Sequence, residues 1–286
     1  MKIIHSVKEM QEFSKEVRKA GQKINFVPTM GYLHQGHLTL MVEARKNCDI
    51  LVTSIFVNPL QFGLGEDYEE YPRDLTRDVE AAALAKVDII FAPTVKEMYP
   101  SGYVTFVNAQ GITEVMCGAS RPGHFQGVTT VVTKLFNIVQ PEEAYFGQKD
   151  AQQVIVIEHM VADLNMPVKI IRVPIVREED GLAMSSRNVF LSVEERSQAA
   201  VLYRSLTKAK ELIEAGERDK RKIYQVIRET INSAPLAAID YIEIRDGLKL
   251  QPQEEELNGQ VLIALAVKFG KTRLIDNIQA EVPANV

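Results

Sequence analysis

The chain has 286 residues, enough for one large or two modest domains with well-filled cores. With 46% hydrophobic and 25% charged residues it reads as an ordinary soluble composition, and a formal net charge of −5 argues against a broad nucleic-acid face, which needs clustered surplus Lys and Arg. No run approaches the roughly 18–20 apolar residues that span a bilayer. The start carries no signal-peptide core, and Glu9 and Glu12 come too early for a transit peptide. Cys48 and Cys117 form no C-x-x-C pair and read as small buried hydrophobes, which fits a reducing cytoplasm.

In chain order, residues 24–27, 50–57, 87–92, 104–108 and 168–173 read as strands. Between them, 38–47 and 75–86 have helical length and periodicity, and 152–164 continues the pattern as an apolar helix with Asp150 as its N-cap. Strands alternating with helices predict an α/β fold, a Rossmann-like doubly wound parallel sheet. The texture changes at Ser192, where Ser192 and Glu195 form a capping-box start. A long helix is expected to about Ala215 and a second from about Asp219 to Ser233. Three strands follow at 239–245, 261–269 and 272–278, with the turn of the last hairpin after Gly270. Helices followed by an antiparallel ribbon predict a smaller α+β domain. The boundary falls near Val176, dividing the chain into a catalytic domain, 1–175, and a lid-like C-terminal domain, 176–286.

The most informative motif is His34-Gln35-Gly36-His37, placed where an apolar strand ending in Pro28-Thr29-Met30-Gly31 feeds a helix. A helix N-terminus at that edge favours anions. Two imidazoles three positions apart share one helical face, so both can meet one phosphate chain. The alternative is a surface pair or part of a metal site. Asn58 and Gln61, in Asn58-Pro59-Leu60-Gln61, offer neutral donors and acceptors at the same sheet edge, although Asn-Pro is also a good turn. Gly147-Gln148-Lys149-Asp150 precedes an apolar helix carrying Gln153; it suits phosphate, or is a capped helix with a solvated lysine. Met184-Ser185-Ser186-Arg187 sets two hydroxyls beside a guanidinium, a polyphosphate-binding composition or an interdomain linker. Residues 121–127 are either a phosphate-proximal lid or a structural turn, and the acidic run 66–74 is either a source of a Mg²⁺ carboxylate or a solvated face.

Taken together, residues 28–37, 56–62, 147–153 and 184–188 closely resemble the pantoate–β-alanine ligase family, in order and over nearly the whole chain. Single elements are shared more widely: the H-x-G-H belongs to a nucleotidyltransferase superfamily. The resemblance implies ATP-dependent condensation of pantoate with β-alanine through a pantoyl adenylate, by a cytoplasmic homodimer using Mg²⁺, with no nucleic-acid or membrane partner. It implies that Met30, Gly31, Tyr32, Leu33, His34, Gln35, Gly36 and His37 line the ATP site, with His37 as proton donor. Gly147, Gln148, Lys149, Asp150, Val176, Met184, Ser185, Ser186 and Arg187 would also contact ATP, and Gln61 and Gln153 would hold pantoate. The residue types fit the chemistry. A carboxylate attacking a phosphorus needs fixed donors and cations on the phosphoryl oxygens, which His34, His37, Lys149, Ser185, Ser186 and Arg187 can supply. On that reading His37 is more a phosphate stabiliser than a literal proton donor. The sequence offers neither a direct metal ligand nor a general base for the amine step.

Overall fold

The computed structural model describes residues 1–63 and 65–283. The chain divides into two compact units, Met1–Gln148 with Gln153–Pro174, and Lys149–Gln152 with Ile175–Val286.

The first unit runs β1 (Lys2–Ile4), α1 (Val7–Lys19), β2 (Ile24–Thr29), α2 (Gln35–Arg45), β3 (Ile50–Ile55), a 3-10 turn (Pro59–Gln61), α3 (Leu75–Leu84), β4 (Ile89–Phe91), α4 (Val95–Met98), α5 (Cys117–Ser120), α6 (His124–Val139) and β5 (Glu143–Gly147). A second 3-10 turn (Gln148–Asp150) leads into α7 (Ala151–Asp163), followed by β6 (Lys169–Val173). The strands form one sheet in the order β1-β4-β3-β2-β5-β6, every pair parallel. Parallel strands covered on both faces read as unbroken apolar runs rather than alternating ones. Accordingly Ile24, Asn25, Phe26 and Val27 are all fully buried. Asn25 is tolerated there because its amide donates to Ala44 O at 2.8 Å and to the Tyr145 hydroxyl at 3.2 Å. Helix α7 is apolar nearly all round for the same reason: Val154, Ile155, Val156 and Ile157 have no exposed surface.

The strand order locates the site. From β2 the chain builds outward through β3 and β4, then returns to place β5 on the other side of β2. That reversal is a topological switch point, where a crevice opens beyond the carboxyl ends of β2 and β5.

The sequence reading did not place β1, α1 or α6, and it departs from the structure in other places. Residues 104–108 belong to no strand; the run is rich in β-branched and aromatic residues, but no sheet edge among the described residues pairs with it. Strand β5 is present where the acidic pair Glu142-Glu143 masked it. Glu142 accepts from Ile24 N at 2.7 Å, and Glu143 is held by the Tyr145 hydroxyl and Lys23. Asp150 closes a 3-10 turn and directly precedes α7.

In the second unit, α8 (Val193–Ala199), α9 (Val201–Glu214) and α10 (Lys220–Asn232) precede β7 (Ala237–Asp246), β8 (Gln260–Phe269) and β9 (Thr272–Glu281). The strands are antiparallel in the order β7-β8-β9. The capping box is formed: Ser192 N donates to Glu195 Oε2 at 2.8 Å and Glu195 N to Ser192 Oγ at 3.3 Å. The expected long helix is two, meeting at Ala200. Leu202, Leu206 and Ile213 of α9 and Ile223, Ile227 and Ile231 of α10 bury their apolar stripes with Ile263, Leu265 and Val267 of β8.

Candidate active site

In the first unit, β2 delivers Met30, Gly31, Tyr32 and Leu33 into a turn that ends on His34, the N-cap of α2. The two histidines cap the helix reciprocally. His34 Nδ1 accepts from Gly36 N at 3.1 Å and His37 Nδ1 accepts from His34 N at 3.3 Å, with ring centroids 4.0 Å apart. Because each Nδ1 is an acceptor, each neutral ring carries its proton on Nε2. The pair caps a helix N-terminus, the end of a helix that favours anions.

The turn itself is strained and braced. Gly31 has φ +83° and Tyr32 φ +50°. A Cβ at position 31 would lie 2.8 Å from Asp78 Oδ2 and 2.9 Å from Ile55 Cγ2, so glycine is required. Asp78 of α3 is 1% exposed and accepts from Tyr32 N at 2.8 Å and Leu33 N at 2.7 Å. Burial pushes its carboxyl above the usual range, opposed by those two amides. The preceding residue, Arg77, donates to Leu33 O at 3.1 Å and lies 4.4 Å over the Tyr32 ring. Neither residue was singled out from the sequence. The signal available was an acid at position 78, one turn before buried Ala82, on the apolar face of α3.

Beside this turn, Gln61 Nε2 approaches Met30 Sδ at 3.2 Å, so two separately noted motifs meet. Asn58 is 1% exposed. Its amide donates to Gln61 Oε1 at 3.2 Å and Gly127 O at 3.1 Å, and its oxygen accepts from the Tyr99 hydroxyl at 2.8 Å and Leu60 N at 3.3 Å. With its amide engaged within the fold, Asn58 is placed to orient Gln61. Residues 121–127 serve the same loop. Arg121 pairs with Glu66 and donates to Gln61 O at 3.3 Å, and His124 Nδ1 lies 2.8 Å from Gln61 O. Gly147 ends β5 and Gln148 opens the following 3-10 turn, and Gln153 lies in the first turn of α7.

The second unit holds Lys149, Asp150, Val176, Met184, Ser185, Ser186 and Arg187. The 176–184 segment folds back on itself: Arg177 bridges Ala183, and Met184 N donates to Val176 O at 3.0 Å. Ser185 caps a 3-10 turn (Ser186–Phe190), its Oγ accepting from Arg187 N at 3.2 Å. Arg196 ties Glu178 and Asp180, and Asn188 donates to Glu178 Oε1 at 2.8 Å. The loop is therefore an ordered hairpin rather than a slack linker. Among the described residues no three His, Cys, Asp or Glu side chains gather to hold a metal ion, and no helix is long and apolar enough to cross a membrane.

An all-parallel sheet with an imidazole-capped helix beside its switch point defines a nucleotide-binding α/β protein that carries a small α+β unit. Comparison with known proteins narrows the class. Residues 2–279 match the model of the Pantoate-beta-alanine ligase family, and the chain belongs to that family. It is 62% identical over 282 residues to the pantothenate synthetase of Heliobacterium modesticaldum, covering 99% of this chain and 100% of that one. The enzyme of that name from Syntrophomonas wolfei is 59% identical over 283 residues, with 99% and 100% covered. Among solved structures, pantothenate synthetase from Thermus thermophilus superposes with a TM-score of 0.92 at 46% identity, over 99% of this chain and 100% of that one. Pantoate-beta-alanine ligase from Francisella tularensis, complexed with beta-gamma ATP and beta-alanine, gives 0.79 at 36% identity over 97% of each.

Proposed function

We propose that this chain condenses pantoate with β-alanine at the expense of ATP, giving pantothenate, AMP and diphosphate through a pantoyl adenylate. The observation that carries the reading is the pairing of an anion-ready histidine cap with a neutral Gln61–Met30 contact beside it. The first suits nucleotide phosphates; the second binds an acid's polar groups without neutralising the carboxylate that must attack. In the first step a pantoate carboxylate oxygen bonds to the α-phosphorus as the bond to diphosphate breaks. In the second, the β-alanine nitrogen bonds to the acyl carbon, sheds a proton, and AMP leaves.

His34 and His37, through Nε2–H, and Lys149, Ser185, Ser186 and Arg187 stabilise charge on the phosphoryl oxygens. Residues 30–37 and 147–150, with Val176 and Met184, line the nucleotide site. Gln61 and Gln153 hold pantoate, with Asn58 orienting Gln61. Since Nδ1 of His37 is occupied as an acceptor, Nε2–H is the proton it offers. Mg²⁺, which the family resemblance implies, would neutralise charge on the ATP phosphates that His34, His37, Lys149 and Arg187 also face. Two cysteines without C-x-x-C spacing, Cys48 and Cys117, support a cytoplasmic setting. A homodimer is supported by the extended segment at 104–108, which leaves Val104 81% and Phe106 48% exposed.

The test is Gln153→Ala. Losing one or two hydrogen bonds to a charged ligand is worth about 1.5–3 kcal/mol, so KM for pantoate should rise roughly 10- to 100-fold with KM for ATP nearly constant. Unchanged pantoate kinetics would reject the assignment.

A further inference from the structure

Two neighbouring residues of β9, Asp276 and Asn277, are 2% and 3% exposed, an unusual burial for polar side chains in a strand of a small sheet. They hold two segments far apart in sequence. Asp276 receives a fork from Arg177, Nη1 to Oδ2 at 2.7 Å and Nη2 to Oδ1 at 2.9 Å. Arg177 also donates to Gly181 O at 3.0 Å and stacks 4.1 Å over the Tyr203 ring. Gly181 leaves no room for adjustment, since a Cβ there would lie 2.1 Å from Tyr203 Cδ1. The root of the hairpin that presents residues 184–187 is therefore fixed on Asp276. Asn277 Nδ2 donates to Lys149 O at 2.9 Å, and its own N–H donates to Asp276 Oδ1 at 2.7 Å, joining the two anchors. Lys149 and Arg177 both act electrostatically on the Asp276 carboxyl, which burial pushes up and Arg177 draws back. This explains why Lys149–Gln152 groups with the second unit although its chain neighbours on both sides belong to the first.

We infer that Asp276 and Asn277 are positioning residues that set the spacing between Lys149 and the Ser185-Ser186-Arg187 loop, so that these donors meet the nucleotide phosphates as one preassembled group. The inference rests on the reading of Lys149 and Ser185–Arg187 as phosphate-binding. The physical gain is that the entropy of aligning two separate donor segments is removed before ATP arrives. A group held through its backbone carbonyl keeps its side chain available for the ligand, and this is the contact Lys149 makes.

The experiment is a double-mutant cycle on the full chain, read by single-turnover adenylate formation with pantoate and ATP. Asn277→Ala should slow adenylation roughly 10- to 100-fold, the cost of a misplacement on the order of 1 Å, and raise KM for ATP while KM for pantoate stays constant. In a Lys149→Ala background Asn277→Ala should cost nothing further. Asp276→Asn should show the same non-additivity with Arg187→Ala. Asn277→Asp, which keeps the size but cannot donate, should reproduce the alanine result and serves if the alanine variant fails to fold. Adenylation within twofold of the parent in a folded Asn277→Asp protein, or losses that multiply independently with Lys149→Ala, would overturn the inference. Normal adenylation by Lys149→Ala and Arg187→Ala alone would instead overturn the site reading, and this inference with it.

Discussion

Replacing Asp78 with asparagine tests whether the turn ahead of the histidine pair is held from α3. The carboxylate is 1% exposed and takes two backbone N–H groups, at 2.8 and 2.7 Å. An asparagine oxygen can keep one of them, while its NH₂ confronts the other, donor against donor. A hydrogen bond to a charged group contributes about 1.5–3 kcal/mol, and a buried N–H left without a partner costs about 1–3 kcal/mol. Removing the buried charge returns part of this, because burial disfavours the ionised carboxyl. The net loss should be about 2 kcal/mol. The left-handed backbone at Tyr32, φ +50°, costs about 1–2 kcal/mol to maintain, so the freed turn should relax and shift the His34 cap. In urea titration the midpoint should fall with m unchanged, and KM for ATP should rise roughly tenfold. A variant whose midpoint and ATP kinetics both match the parent would refute the idea that Asp78 braces the site.

Gly127→Ala should destabilise by about 1–3 kcal/mol or more, since the new Cβ would lie 2.3 Å from Leu60 O and 2.5 Å from Gln61 N, backbone atoms that cannot step aside. A thermal midpoint equal to the parent's would contradict the close packing of α6 on the Pro59–Gln61 turn. The acid limb of stability should include Asp180, whose carboxyl the Arg196 guanidinium holds below its usual range. A carboxyl lowered in the folded state stabilises above its unfolded value, near 3.9, and loses that contribution as pH falls through the lower folded value. Asp180→Asn should therefore flatten the urea-midpoint profile below about pH 4, and an unaltered slope there would count against the pair.

What the sequence disclosed was mostly local. The run through Phe26 and Val27 into Gly31, the H-x-G-H at a helix start, and the Ser192–Glu195 box each carry their meaning within a few residues, and each forms as read. What stayed hidden depends on partners distant in the chain. Strand β5 begins with acids that are satisfied by Ile24, Lys23 and Tyr145. Helix α6 contains Val128, Thr129, Thr130, Val131, Val132 and Thr133, β-branched residues that weaken helix propensity, yet burial of most of that face overrides it. Residues 104–108 have a strand's composition but pair with no strand among the described residues. In the site, the motifs were legible but their meetings were not. Met30 reaches Gln61 across 31 positions and Asn277 reaches Lys149 across 128. Asp78 and Asp276 left one trace each, an acid at an inward position of an otherwise apolar face or strand.

The most direct measurement is pyrophosphate–ATP exchange with pantoate present and β-alanine absent. The account predicts exchange that depends strictly on pantoate, because the first step is reversible and needs no amine. No exchange in a folded protein that still binds ATP, or exchange that proceeds without pantoate, would contradict a pantoyl adenylate as the intermediate.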